Sequence, residues 1–558
     1  MDQPTQPASQ LEHQNPPGRR TLAVPNTPTS SNKHFATHLA DTALYTVTTP
    51  TREIAMMRQL TLALLLLFTT TALATPYDVV ILNGRVMDPE TGLDDIRHVG
   101  INGNTIEAVS ETPLHGTREI DASGMVVAPG FIDLHTHSPT ELGQYYQLFD
   151  GVTTALELEA GAYPVTDYAG QISDTPLINF GASVGYLNIR MSRKSGISLA
   201  DATATPWPST ARGWLNALRV LIYGPEVALA DTFKTAATEE DLAAMRSMLN
   251  AGIDAGALGI GLPLDYASEA VDTRELRAIF ELAAMREVTI FVHVRRGING
   301  DPAGLREALA LAEDTGASVH ICHISHNAMR NTALFLDEIR AARQRGVDVT
   351  TEVLPYNAGS APISSAVFGR DWQTVFAISY EDVEWASTGE RLTRESFNNY
   401  REESPRGVVI HHYLKEEWTR RAIEEPGVAI VSDLVAMQDR EKNVAPHNGA
   451  FTRILGRYVR EQGVIDLMTA LEKMTLLPAR RLENMAPTFK RKGRLQPGMD
   501  ADITVFDPDT VIDRATYRNP YQEAAGLHAV LVNGTPVMLN GTLVPDTWPG
   551  KRLLTTGT

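Results

Sequence analysis

The sequence predicts an α/β chain: a (β/α)8 barrel over about residues 129–488, joined to a small β-sandwich built from both termini. Three observations carry that expectation. First, the middle of the chain alternates apolar runs with amphipathic stretches: strand Val288–Val294, helix Pro302–Thr315, strand Ser318–Ile324, helix Thr332–Arg345 and strand Val347–Val353. Repeated at this length, such alternation fits a closed parallel barrel, whose chemistry sits at the C-terminal strand ends. Second, short strands with Asn-Gly punctuation precede the barrel and return after it, so one β-domain can draw on both ends. Third, histidines and carboxylates recur where the middle strands end.

Composition sets the outer bounds. Apolar content of 43% and charged content of 21% are those of a globular protein, and 558 residues exceed one ordinary core. A net charge of −18 fits solubility and argues against a nucleic acid partner, which would need a basic face. A small-molecule substrate is expected instead. The single cysteine, Cys322, excludes an intrachain disulfide framework and a Cys-rich zinc site. Nothing in the sequence speaks to oligomeric state.

In chain order, residues 1–55 are polar and aperiodic, a composition that builds no core. Residues 56–74 carry a basic flank, an apolar run from Leu60 to Phe68 and an Ala72-Leu73-Ala74 end, which describes a secretory signal peptide cleaved after Ala74. Such a signal belongs at a terminus, so the expected start is Met56 or Met57, with 1–55 a start-site error. Location is then periplasmic or secreted. The residue directly after the cleavage point is Thr75 and not a cysteine, so no stable membrane anchor is expected after cleavage. Residues 75–128 read as the first part of the sandwich: Tyr77–Leu82, an Asn83-Gly84 turn, Arg85–Asp88, a pair around Asn102-Gly103, and Met125–Val127. The barrel follows over 129–488, broken near 355–403 by an expected insertion over its mouth. Residues 489–558 complete the sandwich.

The barrel opens on Pro129-Gly130-Phe131-Ile132-Asp133-Leu134-His135-Thr136-His137. Side chains two apart on a strand face the same way, so His135 and His137 suit two ligands of one metal ion. In the next strand, Glu157 and Glu159 alternate with leucines and face the barrel interior. A carboxylate there needs a strong partner, either a metal or an interior cation. His293 ends a strand, and the following one offers His320 and His323, of opposite parity. His323, nearer the C-terminal end, is the expected ligand, and His320 a hydrogen-bonded neighbour. Asp433 tips the strand beginning at Val428. Imidazoles plus carboxylates, with a position left open, suit Zn2+ as one or two ions, or another divalent metal.

These motifs resemble the amidohydrolase superfamily, and within it the N-acyl-D-amino-acid deacylase (D-aminoacylase) group. Further carriers are Gly151-Val152-Thr153-Thr154, Gly256–Leu262, His293-Val294-Arg295, His323-Ile324-Ser325, Pro355-Tyr356, Ser432-Asp433 and Gly498–Ile503; the likeness spans Tyr77 to about Thr542. It implies a metal-dependent hydrolase of the barrel-plus-sandwich type. It also implies His135, His137, His293 and His323 as ligands, with Asp433 as a general base that also touches metal. One departure stands out. The D-aminoacylase group ends its second strand with a metal-binding cysteine, whereas this chain has Glu159-Ala160-Gly161. Glu159 is therefore expected as the bridging ligand, with Glu157 as the alternative.

The expected reaction is hydrolysis of an N-acyl amino acid. Arg295, two residues beyond His293, is expected to bind the substrate carboxylate, and Tyr356 to hydrogen-bond the substrate. Alternatives are dipeptides or cyclic amides of the hydantoin or dihydroorotate kind, or an exported binding protein without turnover.

Overall fold

The computed structural model describes residues 76–172, 174–196, 231–437, 440 and 446–555. The expected extension 1–55 and signal peptide 56–74 lie outside the described residues.

Strands Tyr77–Asp88, Leu93–Asn102, Thr105–Ser110, Gly116–Asp121 and Val126–Pro129 join Ile503–Phe506, Leu527–Val532, Thr535–Leu539 and Thr542–Leu543 in one nine-stranded sheet. Val126–Pro129 is the seam between the two ends of the chain. It runs parallel to the first strand and antiparallel to Ile503–Phe506, with Val127 opposite Val505. Alternating Val79, Ile81, Val99, Ile101, Val127, Ile503 and Leu531 bury a shared core. One expectation fails here. Asn83-Gly84 is not a turn but a bulge inside a single twelve-residue strand, where the register shifts between Ile81 and Gly84. Gly84 is required because a Cβ there would lie 2.3 Å from Val127 Cγ2. Asn102-Gly103 does turn the chain, between Leu93–Asn102 and Thr105–Ser110.

The second sheet is the barrel. Its parallel strands are β1 (Phe131–Asp133), β2 (Val152–Ala162), β3 (Asn179–Gly185), β4 (Ile260–Pro263), β5 (Thr289–His293), β6 (Ser318–Ile321), β7 (Val349–Val353) and β8 (Val428–Ile430), paired in sequence order. Helices such as Thr273–Arg286, Ala303–Thr315 and Thr332–Gln344 pack outside, each burying an apolar stripe. β8 meets β1 beyond the regular strands, where Asp433 N–H donates to His135 O and His137 N–H to Leu434 O, both at 2.8 Å. That closing seam interleaves three of the expected site residues.

The insertion is longer than 355–403. Val408–His411 pairs with both Gly359–Pro362 and Val383–Trp385, so the four-stranded sub-sheet closes only at His411. Its own core includes Phe368, Trp372, Phe376, Trp385 and Tyr413. Among the described residues no helix is long and apolar enough to cross a membrane.

Candidate metal centre

Five barrel strand ends deliver the site. His135 and His137 leave β1, their Nε2 atoms 3.2 Å apart. Glu159, on β2, stands between two histidine pairs. Its Oε2 is 3.3 Å from His135 Nε2 and 3.4 Å from His137 Nε2. Its Oε1 is 2.9 Å from both His293 Nδ1 and His323 Nε2. Asp433 Oδ1 lies 3.3 Å from His137 Nε2 and 3.5 Å from His135 Nε2. β4 passes close to the Glu159 main chain at Gly261, where a Cβ would stand 2.5 Å from Glu159 O.

Burial gives the cluster a direction. The side chains of His135, Glu159, His293 and His323 are 5% exposed or less, whereas His137 and Asp433 keep 25% and 22%. Solvent therefore meets the site on the His137–Asp433 side.

The donor set fits divalent metal. Among the described residues, four overlapping groups bring ligand atoms within 4.8 Å of one another: His135, His137 and Glu159; His135, His323 and Asp433; Glu159, His293 and His323; and His135, Cys322 and Glu352. Carboxylates hold the outer nitrogens of the first two rings. Glu352 Oε1 is 2.5 Å from His135 Nδ1, and Glu157 Oε2 is 2.9 Å from His137 Nδ1. Such partners leave both Nε2 atoms free to point inward, as metal-ligating histidines require. Burial opposes the imidazolium of His135, yet Asp433, Glu159 and Glu352 outweigh it and raise its pKa well above the usual value. Burial likewise opposes the Asp433 carboxylate, but His135 and His137 overcome that and hold its pKa well below the usual range.

Both second-strand glutamates are buried, as expected, but they divide the work: Glu159 faces four imidazole nitrogens and Glu157 braces one ring. β6 ends at Ile321, so His323 sits past the strand with φ 31, and its inward position owes nothing to strand parity. His320 is the expected hydrogen-bonded neighbour, 2.7 Å from Thr350 Oγ1 and 2.8 Å from Glu352 Oε2.

Two substrate contacts are corrected. β5 stops at His293, so the alternation that put Arg295 on the same face ends two residues too early. Arg295 turns outward to Glu307 (2.8 Å) and to the carbonyls of Ser268 and Val271 (2.6 and 2.7 Å). Tyr356 is buried and donates its hydroxyl to Pro446 O at 2.7 Å, with its ring stacked on His447.

The cation beside the site is Arg296. Its Nη2 lies 3.1 Å from His293 Nε2, and its guanidinium sits over the Phe376 and Tyr413 rings contributed by the insertion. Asp265 is shared by two arginines, bidentate with Arg370 at 2.9 and 2.7 Å and 3.6 Å from Arg296. Among the described residues, neither Arg296 Nε nor Arg370 Nε has a hydrogen-bond partner. Sequence reasoning missed Glu352 as well, though the signal that marked Glu159, a carboxylate within an apolar barrel strand, was present in Thr351-Glu352-Val353.

The Amidohydrolase family pattern matches residues 126–544. The D-aminoacylase of Alcaligenes xylosoxydans xylosoxydans is 30% identical over 488 residues, covering 83% of this chain and 94% of that protein. The N-acyl-D-glutamate deacylase of the same organism is 29% identical over 520 residues, covering 85% and 96%. Among solved structures, the N-acyl-D-glutamate deacylase of Bordetella bronchiseptica, complexed with zinc and a phosphonate mimic of the tetrahedral intermediate, superposes with a TM-score of 0.67. It shares 26% identity and covers 86% of this chain and all of that one. A D-hydantoinase at 16% identity, TM-score 0.55, shares the fold. With the family pattern running from the sandwich seam through the barrel to the C-terminal strands, this chain belongs to the amidohydrolase family.

Proposed function

We propose that this chain hydrolyses the amide bond of N-acyl-D-amino acids with the help of one or two divalent ions, zinc foremost. The observation that carries this reading is Glu159, whose two oxygens face different histidine pairs with Asp433 on the open side. Similarity to the two deacylases over most of both chains supports the substrate class. His135, His137, Glu159 and Asp433 would hold one ion, and Glu159, His293 and His323 the other. When bound, such ions polarise a substrate carbonyl and lower the pKa of water to about 7. Asp433 accepts the proton of the attacking water and passes it to the leaving nitrogen as the C–N bond breaks, giving a carboxylic acid and a free amine. Glu352 and Glu157 keep the His135 and His137 rings oriented throughout.

Arg296 is the side chain placed to meet the substrate carboxylate. Arg370 would keep Asp265 paired if Arg296 were lost, so Arg296→Ala should fold. A hydrogen bond to a charged partner is worth ~1.5–3 kcal/mol, so KM should rise about tenfold or more. Arg295→Ala should leave KM unchanged. Assaying the purified protein against N-acetyl-D- and N-acetyl-L-amino acids, dipeptides and cyclic amides checks the class. Release of acetate from the D-series is expected. A preference for cyclic amides or dipeptides would overturn the deacylase reading.

Export belongs to the same proposal. Residues 56–74 have the composition of a cleavable signal, so fusing them to a reporter should send it out of the cytoplasm, and the mature protein should begin near Thr75. Intact cytoplasmic protein retaining residues 1–74 would refute this.

A further inference from the structure

The backbone at Asp433 is strained. Its φ is +50, in the left-handed region that costs a side-chain-bearing residue energy. Its peptide groups are pinned from two sides. The N–H donates to His135 O at 2.8 Å, and the C=O lies 2.8 Å from His447 Nδ1. A carbonyl only accepts, so Nδ1 carries the proton and donates it. His447 is 2% exposed, and its Nε2 makes no hydrogen bond among the described residues, where the Asp433 carbonyl is the ring's hydrogen-bonding partner. The ring is itself clamped. Tyr356 stacks on it with centroids 4.7 Å apart and an interplanar angle of 26°, and Arg453 lies over the Tyr356 ring. The tyrosine that sequence reasoning offered to the substrate thus supports a histidine that supports Asp433.

We propose that His447 is a positioning residue for the reaction: through its Nδ1–H bond to the Asp433 carbonyl it holds that left-handed peptide, and so fixes the carboxylate 3.3 Å from His137 Nε2. The proposal rests on the reading of Asp433 as general base. Without it that peptide keeps the Leu434 N–H bond to Ser432 Oγ at 3.1 Å but loses its carbonyl anchor and can tilt, and a displacement of ~1 Å at a reacting group costs about 10²-fold.

The test compares three substitutions at one position. An asparagine amide nitrogen branches from Cγ, as Nδ1 does, whereas a glutamine nitrogen sits one bond further out, near the place of Nε2. His447→Ala should lower kcat about 10–10²-fold with KM and bound metal little changed. His447→Asn should recover most of that loss, and His447→Gln should not. In an Asp433→Asn background His447→Ala should cost nothing more, because the two act through one carboxylate. Crystal structures give a readout independent of substrate. The Asp433 carboxylate should have moved from His137 in the alanine variant and stayed in the asparagine one. Wild-type kcat in His447→Ala, rescue by Gln equal to that by Asn, or the same loss on both backgrounds would overturn the proposal. Should the alanine variant fail to fold, a folded His447→Asn as slow as His447→Gln would do so. Asp433→Asn with wild-type turnover would instead bring down the general-base reading itself.

Discussion

Replacing Asp433 with asparagine should leave metal content and Tm near those of the wild type while lowering turnover by at least ~10². Asparagine keeps the shape and one carbonyl oxygen, so the seam between β8 and β1, made by the Asp433 backbone, survives. What is lost is an oxygen basic enough to take a proton. Asp433 is well suited to that role. It is one of the two more exposed donors, with Oδ1 3.3 Å from His137 Nε2 on the side where solvent reaches the site. A general acid–base group contributes ~10²–10⁴-fold, and this one acts twice per turnover. If Asp433 merely capped a helix, its loss would cost about 1 kcal/mol of stability and spare catalysis. Leu434, however, is bridged to Thr136 rather than opening a helix. Metal, Tm and kcat measured on one purified variant decide the matter. A stable, metal-loaded Asp433→Asn with wild-type turnover would end this mechanism.

Replacing Glu159 with alanine should remove metal and activity together. The two oxygens of Glu159 face both histidine pairs, at 2.9–3.4 Å. Without it, the cluster loses both its link and a buried negative charge that offsets the ions. Glu157→Ala should do less, because Glu157 touches His137 Nδ1 rather than the inward-facing nitrogens. Partners of that kind are worth ~10–100-fold in metal affinity. Metal analysis of both variants at a fixed free-zinc concentration orders the effects. Metal lost from Glu157→Ala but kept in Glu159→Ala would reverse the assignment on β2.

Much of this centre was legible in the sequence because a barrel strand has a period of two and an end. Alternation faced His135 with His137 and turned both Glu157 and Glu159 inward, and His293 was marked by the end of an apolar run. A carboxylate among barrel leucines announced its need for a partner, while the choice of Glu159 over Glu157 came with the family resemblance. The family resemblance then implied Asp433 as the base. Expectations failed where regular structure stops. The alternation carried past His293 selected Arg295, yet the chain leaves the strand there and presents Arg296. An Asn-Gly pair signals a hairpin in general, but the sandwich core accepted Asn83-Gly84 as a bulge because Val127 occupies the space a Cβ would need.

By itself, then, the sequence determined the barrel, the composite sandwich, and which strand ends carry imidazoles and carboxylates, since those depend on local periodicity and on charge placed in apolar runs. Only the tertiary structure decided which oxygens of Glu159 face which histidines, that Glu352 braces His135, that Arg296 stands under the insertion's aromatic rings, and that Tyr356 serves His447. Those contacts join residues tens to hundreds of positions apart, on different strands, helices and loops, with no repeating geometry to relate them. Their partners are chosen by which surfaces meet when the barrel closes.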